Sequence, residues 1–254
     1  MSEAPTVVFN KADGIATLML NDAARHNALG HAELQQLDEA LDAIAADTSL
    51  RAVLLTGAGA KTFCAGAALD QLDGVNFDGD TFAPITNKLA ALPQPTLCAL
   101  NGNVFGAGVD LALACDFRIG VSGSRLRVPA AVLGACYPPA CVQRMVSQLG
   151  IAASRRLLLA AHTFDADEML GCSFLHWRVA PGELNERARL LLDELLALAP
   201  QSQAAMKAMI TQSTAGLQDA QAAQQLMQAC FASADFLEGM AAKREGRAPA
   251  FSGR

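Results

Sequence analysis

Long hydrophobic runs are missing from this 254-residue chain, although 52% of its residues are hydrophobic. No window approaches the roughly 18 uninterrupted apolar residues that a transmembrane helix needs. The N-terminal stretch MSEAPTVVFN has neither the basic region nor the apolar region of a secretory signal. We therefore expect a cytoplasmic protein with no membrane partner.

Clustered positive charge is also scarce. The chain has 19 Lys and Arg against 25 Asp and Glu, so its formal net charge is −6. Nucleic-acid binding depends on grouped cations that neutralise phosphates, so we expect no nucleic-acid partner. A small basic cluster near the C-terminus is enough for a phosphorylated small molecule.

Metal-binding patterns are lacking as well. None of the seven cysteines forms a CxxC pair, and the four histidines do not pair at a ligand spacing. We expect no metal site, and reduced, mostly buried thiols of the kind usual in the cytoplasm.

What the chain does have is an alternation of strand and helix patterns. Strands are predicted over residues 15–20 and 51–56, with an amphipathic helix over residues 31–46 between them. The last third is typical of helices alone, including one long helix over residues 217–241. The pattern predicts an α/β core followed by a helical region.

The most informative stretch is NGNVFGAGVDLALACDFRIG, residues 101–120. A predicted buried strand over residues 95–100 leads into a glycine-rich turn, and the turn leads into an apolar helix. Such a turn leaves backbone N–H groups unpaired at the helix start, where the dipole favours negative charge. A second small-residue loop, KTFCAGAA, spans residues 61–68. Both loops suit a ligand oxygen that develops negative charge, or else close packing of helix on sheet.

Motifs in one particular order carry a resemblance to a known family. They are HNAL, LLTGAGAKTF, FCAGAALD, NGNVFGAGVDLALACD and EGMAAKREGRAPAF, which begin at positions 26, 54, 63, 101 and 238. Together they resemble the crotonase, or enoyl-CoA hydratase/isomerase, superfamily over nearly the whole chain. The resemblance implies a spiral of ββα repeats over residues 1–195 and a C-terminal helical trimerisation region over residues 196–254.

The resemblance also implies a substrate and a binding site. The family binds acyl-CoA thioesters, with coenzyme A as part of the substrate and no permanently bound cofactor, and it forms trimers or dimers of trimers. Two backbone N–H groups form an oxyanion hole that holds the thioester oxygen; by motif position they belong to Ala67 and Ala107. The matching coenzyme A contacts are Arg25, His26, Ala65, Ala67, Lys243 and Arg247. The C-terminal cations fit the family's register poorly and also suit a solvated basic tail.

The acid–base residues depart from the family's hydratase pattern. Hydratases of the family use two glutamates, and the first position is Asp110, whose side chain is one methylene shorter. The second position is Ala130, and no Asp or Glu occurs over residues 117–164. The dienoyl-CoA isomerase branch has an Asp at the first position, but its further acids would fall on Ala130 and Pro138. Asp110 is therefore the main candidate acid or base, or else a first-turn acid favoured by the helix dipole.

Three other side chains near the expected acyl pocket were candidates for chemistry. Tyr137, the only tyrosine, is a catalytic candidate as a hydrogen-bond or proton donor, or else a packing residue with a solvated hydroxyl. Cys136 has no histidine nearby in the sequence that would activate it as a nucleophile. Asp70 lies two residues after a position where the family has aspartate, and it suits a helix cap.

The sequence thus predicts an acyl-CoA-processing enzyme of fatty acid metabolism, a lyase or isomerase that stabilises a thioester enolate. Because half of the paired-carboxylate machinery is missing, single-base isomerisation or a non-standard lyase reaction is favoured over hydration. The alternatives are a catalytically silent acyl-CoA-binding protein, and a decarboxylase or thioesterase of the same fold, which needs fewer acid–base groups.

Turnover of crotonyl-CoA tests this interpretation. With alanine at the second glutamate position, we expect hydration well below that of an efficient hydratase, measured as loss of enoyl absorbance with purified protein. A rate typical of such hydratases would contradict the inference drawn from Ala130.

Overall fold

The computed structural model, which describes residues 5–68, 82–214 and 219–253, alternates strand pairs with helices through its first half and ends in helices. The strands are Val7–Ala12 (β1), Ile15–Leu20 (β2), Ala52–Gly57 (β3), Thr62–Cys64 (β4), Thr96–Leu100 (β5), Asn103–Phe105 (β6), Phe117–Val121 (β7), Leu126–Arg127 (β8) and Trp177–Val179 (β9). The helices are His31–Ala46 (α1), Ala83–Ala91 (α2), Ala107–Leu113 (α3), Ala130–Leu133 (α4), Pro139–Leu158 (α5), Ala166–Gly171 (α6), Leu184–Leu196 (α7), Pro200–Thr214 (α8), Ala220–Ala232 (α9) and Ala234–Glu245 (α10). Among the described residues, no helix is both long and apolar enough to cross a membrane.

Successive strand pairs divide their strands between two sheets. The larger sheet has the order β1-β2-β3-β5-β7-β9 and is parallel except between β1 and β2. The smaller sheet, β4-β6-β8, is parallel throughout and takes the second strand of each later pair. Since a helix follows each pair, the chain advances in ββα units. This arrangement confirms the predicted α/β fold.

The central strands are buried on both faces, which explains their unbroken apolar sequences. In β5 all five residues are buried. Cys98 and Leu100 face the larger core cluster, which also contains the buried stripe of α1. Leu97 and Ala99 face the opposite side, where they pack with α7. The buried stripe of α1 consists of Leu34, Leu37, Leu41 and Ile44, at the spacing that predicted the helix.

Two short strands and one helix break differ from the sequence-based prediction. β4 and β6 lie inside segments that were expected to be loop and turn, and their pairing forms the smaller sheet. The single helix predicted over residues 217–241 is wrong. Ser233 has an extended backbone (ψ 153°) and separates α9 from α10. The Ser233 hydroxyl accepts a hydrogen bond from the Phe236 N–H at 3.1 Å. Asp70 lies outside the described residues, and so do residues 73–80, whose polar, glycine-containing sequence predicts a mobile loop.

Two asparagines hold the loop that joins β3 to β4. Asn27 is buried at a φ of 56°, and its side-chain amide nitrogen lies 2.9–3.1 Å from three carbonyl oxygens, one in this loop and two in β4. Those oxygens belong to Ala58, Thr62 and Phe63. Asn101 accepts from the Gly57 N–H at 3.1 Å and donates to the Gly59 carbonyl at 2.8 Å. Because a buried carbonyl without a donor is costly, the two amides fix the path of the loop.

Replacing Asn27 by alanine should lower the free energy of unfolding by about 2–4 kcal/mol, since it strips the donor from buried carbonyls and strains the left-handed backbone. Chemical denaturation measures the change. Asn10→Ala is a suitable control, because the exposed Asn10 side chain bonds only to the neighbouring Lys11 N–H. Equal destabilisation by both substitutions would contradict the role given to Asn27.

Candidate active site

The two glycine turns predicted from the sequence meet in the structure. Gly66 (φ 89°) follows β4, and Gly106 (φ 53°) follows β6. A Cβ atom on Gly66 would lie 2.8 Å from the Phe105 carbonyl oxygen and 3.0 Å from the Ala107 nitrogen. The approach of the two turns therefore depends on the missing side chain at Gly66 as well as on its positive φ.

Ala67 and Ala107 are the residues that follow the two glycines of this contact. Leu29 pairs with the first turn in parallel fashion: its N–H donates to the Gly66 carbonyl at 2.8 Å, and its carbonyl accepts from Ala68 at 2.9 Å. This pairing uses the groups that flank Ala67 and leaves its own N–H directed away. Ala107 is the first residue of α3, where an N–H has no partner within the helix. Within the described ranges, neither N–H has a hydrogen-bond acceptor.

The Tyr137 hydroxyl lies above the second turn. It is 4.0 Å from the place that a Cβ atom on Gly106 would take. Although the side chain as a whole is only half-buried, the hydroxyl oxygen is buried and finds no hydrogen-bond partner among the described residues. Burial raises the pKa of Tyr137 well above its usual value, and the charge of Asp110 acts in the same direction. The hydroxyl therefore stays protonated at neutral pH and is a donor in need of an acceptor.

Asp110 is buried, with 1% of its surface exposed, and it is tightly paired. The Arg144 Nη1 atom lies 2.6 Å from both of its carboxylate oxygens. The Cys141 thiol donates to Oδ2 at 3.1 Å. Burial, followed by the charge of Asp110, raises the pKa of Cys141 to about 12, so the thiol remains a donor at neutral pH.

Arg144 is the residue of this site that the sequence analysis missed. Besides Asp110, its guanidinium donates to Thr86 Oγ1 at 3.2 Å and to Asn87 Oδ1 at 2.6 Å, so it connects α5 to both α2 and α3. A signal was present in the sequence: the long stretch without acids, residues 117–164, contains an arginine inside the apolar pattern of a helix. Because a largely buried guanidinium needs a carboxylate, that partner had to come from another element.

The second glutamate position has an unremarkable place in the fold. Ala130 is buried at the start of α4, and its carbonyl accepts from the N–H groups of Gly134 and Ala135. The loop that follows leads to Tyr137. At position 130 the side chain is a methyl group, which can neither give nor accept a proton.

Three of the predicted coenzyme A contacts lie together. The Ala65 N–H donates to the His26 carbonyl at 3.0 Å, and His26 Nδ1 is 3.2 Å from Thr62 Oγ1. Arg25 precedes His26 on an exposed turn and lies 3.7 Å from Asp22. The structure therefore gathers this part of the prediction at the first turn, next to Ala67. The role of these residues in binding coenzyme A stays a prediction.

The two C-terminal cations lie elsewhere on this chain. Lys243 is exposed on α10, and Arg247 follows that helix. The Arg247 guanidinium contacts the Glu238 carboxylate at 2.6 and 2.9 Å and Glu245 at 2.6 Å. No described contact joins either cation to the turns at Ala67 and Ala107.

In the part of the chain that the structure describes, no group of three or more His, Cys, Asp and Glu residues is arranged to hold a metal ion.

Comparison with known proteins identifies the family. A family model described as enoyl-CoA hydratase/isomerase matches residues 10–254. The chain belongs to this family. The short-chain-enoyl-CoA hydratase of Clostridium acetobutylicum is 31% identical over 203 residues, which is 78% of each chain. The 2,3-dehydroadipyl-CoA hydratase of Escherichia coli is 30% identical over 98% of this chain and 99% of its own.

Solved structures of the enoyl-CoA hydratase/isomerase family share the whole fold. An enoyl-CoA hydratase from Bacillus anthracis superposes with a TM-score of 0.90 at 27% identity, covering 98% of this chain and 100% of its own. An enoyl-CoA hydratase/carnitine racemase from Magnetospirillum magneticum gives a TM-score of 0.92 at 26% identity, over 99% and 97% of the two chains. The predicted crotonase-type fold is therefore confirmed along the chain.

Replacement of Arg144 should show how much the buried Asp110 carboxylate destabilises the fold when it has no cationic partner. We expect Arg144→Met to lower the free energy of unfolding by about 3–5 kcal/mol, because an unpaired carboxylate would remain in the interior. Adding Asp110→Asn to Arg144→Met should recover a large part of that loss, which a double-mutant cycle in urea measures. Arg178→Met is the control, since its ion pair with Asp167 is exposed. A loss no greater than that of the control would contradict the buried pair.

Proposed function

We propose that this chain is an acyl-CoA enzyme that stabilises a thioester enolate between the N–H groups of Ala67 and Ala107. The observation that supports the proposal is the contact of the Gly66 and Gly106 turns, because the residue after each of these glycines has an N–H without an acceptor among the described residues. The thioester oxygen becomes negatively charged as the enolate forms, and it would accept a hydrogen bond from each of the two N–H groups. Each such preorganised donor stabilises the transition state and typically contributes roughly 10²- to 10³-fold in rate. Relatives named as hydratases of enoyl-CoA and 2,3-dehydroadipyl-CoA support the substrate class.

Asp110 is our first candidate for the acid or base of this reaction, with Arg144 as the residue that positions it. Such a site would move a proton at the substrate's α-carbon, as in isomerisation or a lyase reaction with one base. The ion pair sets a condition on this mechanism. To accept a proton, Asp110 must give up its pairing with a largely buried guanidinium, which costs several kcal/mol in the interior. Hydration, which the family performs with two carboxylates, is disfavoured by the methyl group at Ala130.

Decarboxylation is the second candidate, and two contacts favour it. The site's carboxylate is already engaged by Arg144, and the Tyr137 hydroxyl faces the Gly106 turn without an acceptor. In a thioester with a β-carboxylate, the C–C bond electrons pass to the thioester carbonyl as CO₂ leaves, so the enolate forms without a base. The α-carbon then needs only a proton, and the protonated Tyr137 hydroxyl beside the Gly106 turn is suited to donate it.

The remaining parts of the proposal concern coenzyme A and assembly. Arg25, His26 and the backbone of Ala65 would contact the adenine and phosphates, and Lys243 or Arg247 would contribute from a second copy. The C-terminal helices present large exposed apolar side chains that suit self-association as a trimer or dimer of trimers. Examples are Met206, Ile210, Phe231 and Leu237.

We propose the cytoplasm as the place where the protein acts.

Two conservative substitutions separate the candidate reactions. Asp110→Asn and Tyr137→Phe should be assayed on enoyl-CoA, 3-enoyl-CoA and malonyl-type substrates. If Asp110 is the base, Asp110→Asn should reduce kcat on an enoyl substrate by roughly 10²- to 10⁴-fold, and Tyr137→Phe should have little effect. If the enzyme decarboxylates, Tyr137→Phe should reduce kcat on the malonyl-type substrate by the larger factor.

Each rate must be compared with the fraction of folded protein, because Asp110→Asn also leaves Arg144 without its counter-ion. Gly66→Ala is a third variant that should weaken turnover of every substrate, since its Cβ atom would push the two turns apart. Tight acyl-CoA binding with no turnover across the panel, and no response to Asp110→Asn, would overturn the enzyme proposal in favour of a silent binding protein.

A further inference from the structure

A cavity of about 570 Å³ lies at the C-terminal end of α3, between α2, α5 and α8. Apolar side chains such as Leu113, Phe117 and Ile210 make up most of its wall area, and amide and hydroxyl side chains, Gln148 and Ser147 among them, also line it. Ala67, Ala107, Asp110 and Tyr137 are not among its lining residues, so it is separate from the turns described above. The volume is within the usual range of small-molecule sites.

Arg118 brings a buried positive charge to this cavity. It is 2% exposed, and it lies on β7. Its Nε donates to the Phe174 carbonyl at 2.5 Å and its Nη1 to the Cys115 carbonyl at 2.7 Å. Within the ranges that the structure describes, Arg118 has no carboxylate at ion-pair distance. A buried cation whose partners are all neutral is uncommon, because burial of a charge is normally compensated by an opposite charge.

The other charges near the cavity already compensate one another. Asp116 lies 2.7 Å from the Lys207 ammonium and accepts two hydrogen bonds from Thr96. Arg144 is neutralised by Asp110. This leaves the guanidinium of Arg118 as one uncompensated positive charge at the cavity.

His176 supplies a second donor beside Arg118. Its Nδ1 accepts from the Arg118 backbone N–H at 3.0 Å, so a neutral ring must have its proton on Nε2. Nε2 lies 3.4 Å from Arg118 Nη2, which also can only donate. Although part of the ring is exposed at the mouth of the cavity, desolvation and then the charge of Arg118 lower the pKa of His176 to about 4. Two N–H donors therefore face each other and lack an acceptor between them.

We propose that this cavity binds a monocarboxylate with a short apolar body, whose oxygens accept from Arg118 Nη2 and His176 Nε2. A single negative charge matches the single uncompensated cation, and the apolar walls match a carbon chain. A doubly charged phosphate would bring more negative charge than the single uncompensated cation balances. The carboxylate has two conceivable sources, a free acid and the far end of an acyl group on coenzyme A.

Calorimetric titration with sodium hexanoate tests the proposal on the full chain. We expect saturable binding of hexanoate and none of hexanamide, which has the same carbon chain without the charge. His176→Phe should weaken binding by about 10-fold or more, because it removes a hydrogen bond to a charged group. His162→Phe is the matched control, since His162 is an exposed histidine outside the cavity.

A second variant tests the cavity without changing His176, in case His176→Phe does not fold. Ser147→Trp fills the cavity from the exposed face of α5 without changing either donor, and it should abolish hexanoate binding. Thermal unfolding establishes that each variant is folded. Equal binding of hexanoate and hexanamide, or equal effects of the His176 and His162 substitutions, would overturn the proposal, as would unchanged binding to Ser147→Trp.

Competition distinguishes the two sources of the carboxylate. If adipyl-CoA displaces hexanoate and hexanoyl-CoA does not, the site receives the far end of an acyl group. If neither displaces it, the site takes a free acid. Displacement by hexanoyl-CoA as strong as that by adipyl-CoA would overturn the proposal, because the cavity would then respond to the chain and not to the charge. None of these measurements depends on turnover, so they stand apart from the test of the proposed function.

Discussion

The approach of two backbone turns is the constraint on which the rest of this structure depends. The smaller sheet brings the ends of β4 and β6 side by side, and the missing side chain at Gly66 lets the turns touch. Asn27 and Asn101 hold the preceding loop by hydrogen bonds to its backbone. The approach of the turns therefore depends on main-chain pairing, on one missing side chain and on two asparagine side chains.

Side chains, by contrast, decide what this site can do chemically. Asp110 belongs to the same helix as the proposed Ala107 donor, yet its carboxylate faces Arg144 on α5. Tyr137 reaches the second turn from another direction, from the loop before α5. The two backbone turns therefore follow from short glycine-containing motifs, whereas the charge balance near them arises from side chains on separate helices.

That distinction explains how much the sequence revealed. The helix over residues 31–46 and the strand over residues 15–20 follow from local sequence patterns, and both are confirmed. The short strands β4 and β6 were missed because three residues offer no periodicity, and only the pairing of β4 with β6 and of β6 with β8 makes them strands. The family's motifs predict one oxyanion hole from Ala67 and Ala107, and the structure brings the glycines before them into contact. Arg144 escaped notice because a partner 34 residues away leaves no mark in local spacing.

The Asp110–Arg144 pair also limits how this chain can change. Both carboxylate oxygens already lie 2.6 Å from one nitrogen, so a longer acid at position 110 would have to displace the guanidinium. That guanidinium in turn connects three helices. A substitution toward glutamate would thus disturb helix packing before it altered any proton transfer. We therefore expect positions 110 and 144 to covary: in close descendants of this sequence, both residues should change or neither should.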